Sequence, residues 1–172
     1  MILVGIAGAA GAGKTTFARL LCGYFTRFRR IGFADALKKM ALDMGWDGQK
    51  GDKGRKLLQL LGTDVCRQCI DNNYWVNRLA ARVKTLDDLQ LVVIDDVRFE
   101  NEYDYVTTHF GYTVKIIGRA SKKVNMDHAS ELGLPDHCFD LLLDNSGSMK
   151  NLIDHADALA PELVRRSKES FI

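Results

Sequence analysis

The chain has 172 residues, 47% hydrophobic and 27% charged, with 24 Lys and Arg against 22 Asp and Glu for a formal net charge of +2. That length makes one domain with a self-sufficient core, and the near-neutral balance excludes the strong basic field that would favour nucleic acid or a membrane surface. Four cysteines (Cys22, Cys66, Cys69, Cys138) scattered through periodic segments, no secretory leader before the first strand and no apolar run approaching ~18 residues predict a cytoplasmic chain with reduced thiols.

The first predicted element is a strand over 2–7, Ile2-Leu3-Val4-Gly5-Ile6-Ala7. It runs into Gly8-Ala9-Ala10-Gly11-Ala12-Gly13-Lys14-Thr15, the phosphate-binding loop G-x-x-x-x-G-K-[ST] without a mismatch. A helical stripe follows at Phe17, Leu20, Leu21 and Tyr24, which completes the strand–loop–helix context that gives the motif meaning. The chemistry explains the spelling. Gly8, Gly11, Ala12 and Gly13 let the backbone curl so that its N–H groups point at a phosphate, and the helix N-terminus of Lys14, Thr15 and Thr16 faces the same anion. Lys14 supplies a point charge to the outer phosphates, and the Thr15 hydroxyl serves Mg²⁺. A ligand with a polyphosphate chain is implied.

A second strand is predicted over 30–34, and after it residues 35–88 carry three or four helices with no strand between them. Leu37, Met40, Ala41 and Met44 form one apolar stripe, and Val76, Leu79, Ala80 and Val83 another. Cys66-Arg67-Gln68-Cys69 is formally C-x-x-C, yet without a second pair at ligand spacing the two thiols read as small apolar residues on a helix. Arg67 lies off the apolar stripe of that short helix. Trp75, one position before its stripe, shares a face with Arg78 and Arg82; it suits stacking on a base, or packs against a neighbouring helix. Trp46, in Gly45-Trp46-Asp47-Gly48, reads as a loop anchor.

A third strand over 90–96 ends in Asp95-Asp96, the acidic partner of a phosphate loop; Asp95 sits where the metal-orienting carboxylate usually falls, with Asp96 as the alternative. Arg98 follows directly, then a helix with the stripe Phe99, Tyr103, Val106 and Phe110. A fourth strand over 112–118 leads into a basic, irregular stretch, 119–138, carrying Arg119, Lys122 and Lys123. A fifth strand over 139–144 precedes a helix with Leu152, Ile153, Ala156 and Leu159. The alternation predicts an α/β fold: an open five-stranded parallel sheet with helices on both faces. Both irregular stretches leave from carboxyl ends of strands, where ligands of such sheets collect. No guanine-reading N-K-x-D is present. Cations at the strand ends, Arg98 and Arg119 among them, favour phosphoryl transfer over a hydrolytic switch.

The segments together resemble one family. Phe33-Ala34-Asp35-Ala36-Leu37-Lys38, Leu58-Gln59-Leu60-Leu61-Gly62-Thr63-Asp64 with Arg67, and Asn73-Tyr74-Trp75-Val76 fit its pattern. So do Asp96-Val97-Arg98-Phe99-Glu100-Asn101-Glu102, His128-Ala129-Ser130-Glu131 and Asp144-Asn145. Over about residues 2–160 the chain resembles the bacteriophage deoxynucleoside monophosphate kinases, a branch of the nucleoside monophosphate kinase group of P-loop kinases. The D-V-R-F-x-N-E block is its most specific element after the phosphate loop, and the tail from Pro161 to Ile172 carries no part of it.

The resemblance implies one P-loop NTPase domain over 1–172, with 35–88 as a helical insertion for the monophosphate and 119–138 as a lid. It implies transfer of the γ-phosphoryl group of ATP to a deoxynucleoside 5′-monophosphate, in the cytoplasm of a host where the chain is phage-encoded. Residues 8–16 would hold ATP with Mg²⁺, Thr15 and Asp95 serving the metal. Asp35, Lys38, Arg67 and Trp75 would contact the acceptor, Arg98 would bridge the phosphates, and Arg119 would act from the lid, with Lys14, Arg98 and Arg119 as the catalytic cations. His128 would belong to the packing of the lid, since inline transfer needs little general base. A homodimer is part of the family picture; nucleic acid and membrane are not. Two other readings share the motifs: a P-loop kinase of a ribonucleotide, dephospho-coenzyme A or a phosphorylated alcohol, and a nucleotide-binding module whose output is a partner interaction.

Overall fold

A computed structural model of the chain describes residues 1–118 and 134–169. In chain order the elements are β1 (Ile2–Gly8), α1 (Lys14–Cys22), β2 (Phe28–Ile31), α2 (Phe33–Asp43), α3 (Asp52–Gln59), a π-helical stretch (Leu60–Ile70) and α4 (Tyr74–Val83). Then come β3 (Leu91–Val97), α5 (Glu100–Thr108), β4 (Tyr112–Ile117), a short 3-10 turn (Asp136–Cys138), β5 (Leu141–Asp144) and α6 (Met149–Glu169). They group into two compact units: Met1–Ile31 with Asp88 onward, and Gly32–Asp87.

The first unit holds a five-stranded parallel sheet in the order β2-β3-β1-β4-β5. β1 and β3 lie inside the sheet and are buried on both faces, which is why Ile2–Ala7 and Leu91–Ile94 read as continuous apolar runs and not alternating ones. Val4 pairs with Val93 on one side and Tyr112 on the other. Ile2, Val4 and Ile6 point to one face, where Phe17 and Leu21 of α1 meet Leu152, Ala156, Leu159 and Leu163 of α6. The other face is taken by α5, which contacts β1 and β4 and buries Tyr105 and Val106. The α/β architecture expected from the alternation is therefore the observed one.

Two local expectations around the sheet need correction, the extent of β2 and the inward face of α5. The second strand covers Phe28–Ile31, not 30–34, because Asp35 reaches back to accept the Gly32 N–H at 3.0 Å and starts α2 at Phe33. In α5 the inward face is Glu102, Tyr105 and Val106, while Phe110 lies beyond the helix at φ 54° and is 94% exposed. The final helix continues through Pro161 to Glu169, with Leu163 fully buried past the proline.

The Gly32–Asp87 unit is all helical, with Phe33, Ala41, Leu61, Cys66, Trp75, Leu79 and Val83 buried. Along α4 the buried positions are Trp75, Leu79 and Val83, a stripe shifted by one residue from that expected at Val76, Leu79, Ala80 and Val83. In α2, Ala41 is buried whereas Met44 is exposed.

Candidate active site

The end of β1 turns sharply. Gly8, Gly11 and Gly13 adopt φ of 141°, 80° and 103°, the half of conformational space that side chains avoid. A Cβ on Gly8 would stand 2.4 Å from the Ile116 carbonyl oxygen, and one on Gly13 would stand 2.6 Å from Asn145 Nδ2. Glycine is thus required twice over at these two positions. α1 starts at Lys14 immediately after Gly13, with no side chain capping its first amides. An uncapped helix start of this kind leaves amides that an anion can satisfy. Lys14 Nζ lies across the loop, donating to the Gly8 carbonyl at 2.6 Å and the Ala9 carbonyl at 2.8 Å.

Two donors meet on one carboxylate oxygen beside this loop. Thr15 Oγ1 donates to Asp95 Oδ2 at 2.9 Å, and Arg30 Nη1 donates to the same atom at 2.8 Å. Asp95 is 7% exposed, so the Arg30 charge offsets much of the cost of burying a carboxylate there. Asp95, not Asp96, is the acid that meets the loop threonine. Nearby, burial pushes the Cys22 thiol up to about 11, with the Arg30 charge pulling it down and Asp95 adding to the rise. The sequence reading missed Arg30, whose signal was a basic pair, Arg29-Arg30, written into an otherwise apolar strand.

Arg98 follows β3 on a turn with a definite cause. Glu102 Oε2 accepts the backbone N–H groups of Arg98 at 2.8 Å and Phe99 at 3.2 Å, and Glu102 is 2% exposed. The last residue of the D-V-R-F-x-N-E block therefore folds back to close the turn that displays its arginine. Arg119, with Lys122, Lys123, His128 and most of the stretch 119–138, lies outside the described residues.

The remaining predicted site residues belong to the Gly32–Asp87 unit. Asp35 Oδ2, besides capping α2, accepts Arg82 Nη1 at 3.2 Å, and Lys38 Nζ stands 3.9 Å from Asp35 Oδ1. Arg67 is 7% exposed and donates Nη1 to the Asn72 carbonyl at 3.0 Å. Trp75 is 3% exposed; its Nε1 donates to the Gly62 carbonyl at 2.8 Å, and Tyr74 meets it edge-on at 4.8 Å. So little of the indole is open that stacking on a base is corrected here to a place in the core. Cys66 is buried and its thiol is raised by that burial, while Cys69 is exposed and donates to the Asp64 carbonyl at 3.1 Å. Trp46 anchors its loop through Nε1 to the Gln49 carbonyl at 3.1 Å.

Known proteins resemble this chain in both sequence and fold. The family model for deoxynucleotide monophosphate kinase matches residues 46–155. A putative deoxynucleotide monophosphate kinase of Acanthamoeba polyphaga mimivirus is 32% identical over 178 residues, covering 87% of this chain and 91% of that protein. The deoxynucleotide monophosphate kinase of Enterobacteria phage T4 is 34% identical over 100 residues, 57% of this chain but 41% of the phage protein. The deoxynucleoside-5′-monophosphate kinase of Escherichia phage T5 is 36% identical over 87 residues, 47% of this chain and 34% of that protein. The match thus spans less than half the length of these two phage relatives. Among solved structures, TT1252 from Thermus thermophilus aligns with a TM-score of 0.59 at 17% identity, over 94% of this chain and 97% of its own. Shikimate kinase from Acinetobacter baumannii in complex with shikimate aligns with a TM-score of 0.50 at 13% identity, over 96% of this chain and 94% of its own. At such identities the likeness is one of fold, that of the P-loop kinases.

Proposed function

The chain belongs to the deoxynucleotide monophosphate kinase family, and we infer that it transfers the γ-phosphoryl group of ATP to a deoxynucleoside 5′-monophosphate, yielding the diphosphate and ADP. The observation that carries the assignment of residues is the joined pair Thr15–Asp95 beside a loop bent for an anion, with Lys14 across it.

In this reading Gly8, Gly11, Ala12, Gly13, Lys14, Thr15 and Thr16 seat the triphosphate. The loop amides and the N-terminus of α1 balance charge on the β-phosphate, and Lys14 leaves the Gly8 and Ala9 carbonyls for the outer phosphates. Mg²⁺ fits Thr15 and Asp95: both present oxygen, they stand 2.9 Å apart, and Arg30 holds the carboxylate in place. When bound with ATP the ion neutralises charge that grows on the phosphate oxygens during transfer. Thr15 would touch it directly and Asp95 would orient its surroundings. Arg98, on its fixed turn, is assigned to the transferring group, where a guanidinium stabilises charge spread over three oxygens.

Acceptor binding is assigned to the Gly32–Asp87 unit, through Asp35, Lys38 and the rigidly held Arg67, with Trp75 supporting that wall from inside. The stretch 119–138 is assigned to a lid that carries Arg119 and excludes water, without which ATP would be lost to hydrolysis. Family membership further supports a homodimer working in the host cytoplasm. No helix among the described residues is long and apolar enough to cross a membrane.

A panel of deoxynucleoside and ribonucleoside monophosphates, dephospho-coenzyme A and phosphorylated alcohols, incubated with ATP and read by coupled ADP detection, tests the assignment. Turnover on at least one deoxynucleotide above all other acceptors is expected. No turnover on any deoxynucleotide would overturn it.

A further inference from the structure

Asn145 follows β5, and only 4% of its surface is exposed. Its backbone N–H donates to the Ile117 carbonyl at 2.9 Å, tying it to the end of β4. Its side-chain Nδ2 donates to the Ala12 carbonyl at 2.9 Å, a contact 133 positions away in sequence and set in the phosphate loop. Among the described residues its Oδ1 has no hydrogen-bond partner. The assignment of the two amide atoms follows from chemistry, because turning the amide over would set two acceptors against each other at Ala12. Asp144 braces the turn, accepting the Ser146 backbone N–H at 2.8 Å, which also holds the Asp144 carboxyl below the usual range.

An asparagine with one buried end unpaired is a poor choice for stability alone, since an apolar residue of its size would avoid the orphaned acceptor. What the amide does accomplish is directional. The Ala12–Gly13 peptide is trans and planar, so its C=O and N–H point opposite ways. Holding the Ala12 oxygen toward Asn145 aims the Gly13 N–H away from Asn145 and into the loop. Gly13 must then lack a side chain, because its Cβ would collide with the same Nδ2 at 2.6 Å.

We propose that Asn145 is a positioning residue for the phosphoryl donor: it clamps the Ala12–Gly13 peptide so that the Gly13 amide faces the phosphate. The proposal rests on residues 8–16 being the ATP loop. It does not make Asn145 a contact of the nucleotide. The clamp comes from outside the loop's own sequence, so the G-x-x-x-x-G-K-[ST] motif alone leaves this peptide free to turn over.

The test uses the full chain with inorganic tripolyphosphate as binding probe and ATP as substrate. Asn145→Leu fills the same space without a donor; Asn145→Asp sets a carboxylate against the Ala12 carbonyl. The expected result for Asn145→Leu is an unchanged or higher melting temperature with tripolyphosphate binding weakened at least tenfold. Its KM for ATP should rise while the acceptor KM stays within twofold, and Asn145→Asp should lose more. A purely structural role predicts the reverse, a lower melting temperature with donor binding intact, and that result would overturn the proposal. If neither variant folds, the wild-type protein decides: on adding tripolyphosphate the Gly13 amide proton should move as far as the Lys14 amide in an NMR titration, and a Gly13 resonance that stays still while Lys14 moves rejects the clamp. Lys14→Ala serves as the control. Tripolyphosphate binding undiminished by that change would remove the ATP-loop assignment itself, whereas binding lost in Lys14→Ala but kept in both Asn145 variants would remove the clamp alone.

Discussion

Thr15 and Asp95, eighty positions apart in sequence, share a 2.9 Å hydrogen bond that joins the first turn of α1 to the end of β3. The bond lets β3 set the position of the hydroxyl to which Mg²⁺ binding is assigned in the proposed function. Because Arg30 donates to the same oxygen, the carboxylate has little room to rotate.

Asp95→Asn should therefore lower kcat by ~100-fold, the upper range for losing a group that orients a metal's surroundings. Asp96→Asn should stay within a few-fold of wild type. Steady-state rates at saturating ATP and acceptor decide it; equal losses in the two variants would contradict the assignment of the acid.

Arg30→Gln leaves a buried carboxylate without its counter-charge. Removing one partner of a fully buried pair costs about 3–5 kcal/mol, but the Arg30 side chain is 43% exposed, so a loss of ~1–2 kcal/mol is expected. The double variant Arg30→Gln/Asp95→Asn should recover most of it in urea unfolding. A double variant as unstable as the sum of the singles would mean that the two side chains do not couple.

Lys14→Ala should reduce kcat by ~100-fold or more, since it removes charge stabilisation that grows toward the transition state. Arg98→Ala should cut kcat more than it weakens ATP binding. Calorimetric ATP titration beside the rate measurements separates the two, and an Arg98 effect confined to ATP affinity would move that residue to simple donor binding.

Trp75→Phe removes the indole donor from the Gly62 carbonyl and should cost ~1–3 kcal/mol, while Trp75→Ala should cost ~3–5 kcal/mol through the cavity it leaves. The acceptor KM of the Phe variant should change less than about twofold, as for a core side chain. A tenfold rise in that KM with an unchanged urea midpoint would restore the base-stacking role.

The thiols give a pH prediction. Cys69 is exposed and should alkylate first in the native protein, whereas Cys22 should react only on unfolding. An unfolded Cys ionises near its ordinary 9.0, while folded Cys22 keeps its proton to about 11. Between those values the unfolded chain releases the proton first, so stability is whole below pH 9 and declines as pH rises toward 11. Cys22→Ala should flatten that part of the profile in urea titrations at stepped pH; an unaltered slope would place the effect elsewhere.

Much of this was legible in sequence because its signals are local. The loop at 8–15, the apolar strands and Asp95 at a strand end each occupy a few consecutive residues, whereas the strand order β2-β3-β1-β4-β5 emerged only from the fold. Arg30–Asp95 and Asn145–Ala12 were not legible, since each joins chain segments that only the folded sheet brings together. Trp75 and Phe110 failed for a different reason. A helical stripe read from apolar residues alone can be off by one position, and in α5 the buried carboxylate of Glu102 took a place that hydrophobicity would assign to something else.

The Gly32–Asp87 unit leaves the chain directly after β2 and returns before β3, with its own buried centre around Trp75, Leu61 and Leu79. Such a cassette has two seams, and both fall outside the strands that carry the loop and its acid. On the proposed assignment of the acceptor to this unit, changes within it would alter which nucleotide is chosen while leaving β1 and β3 untouched. Exchanging this cassette with that of a relative would, on the same assignment, carry base preference with it.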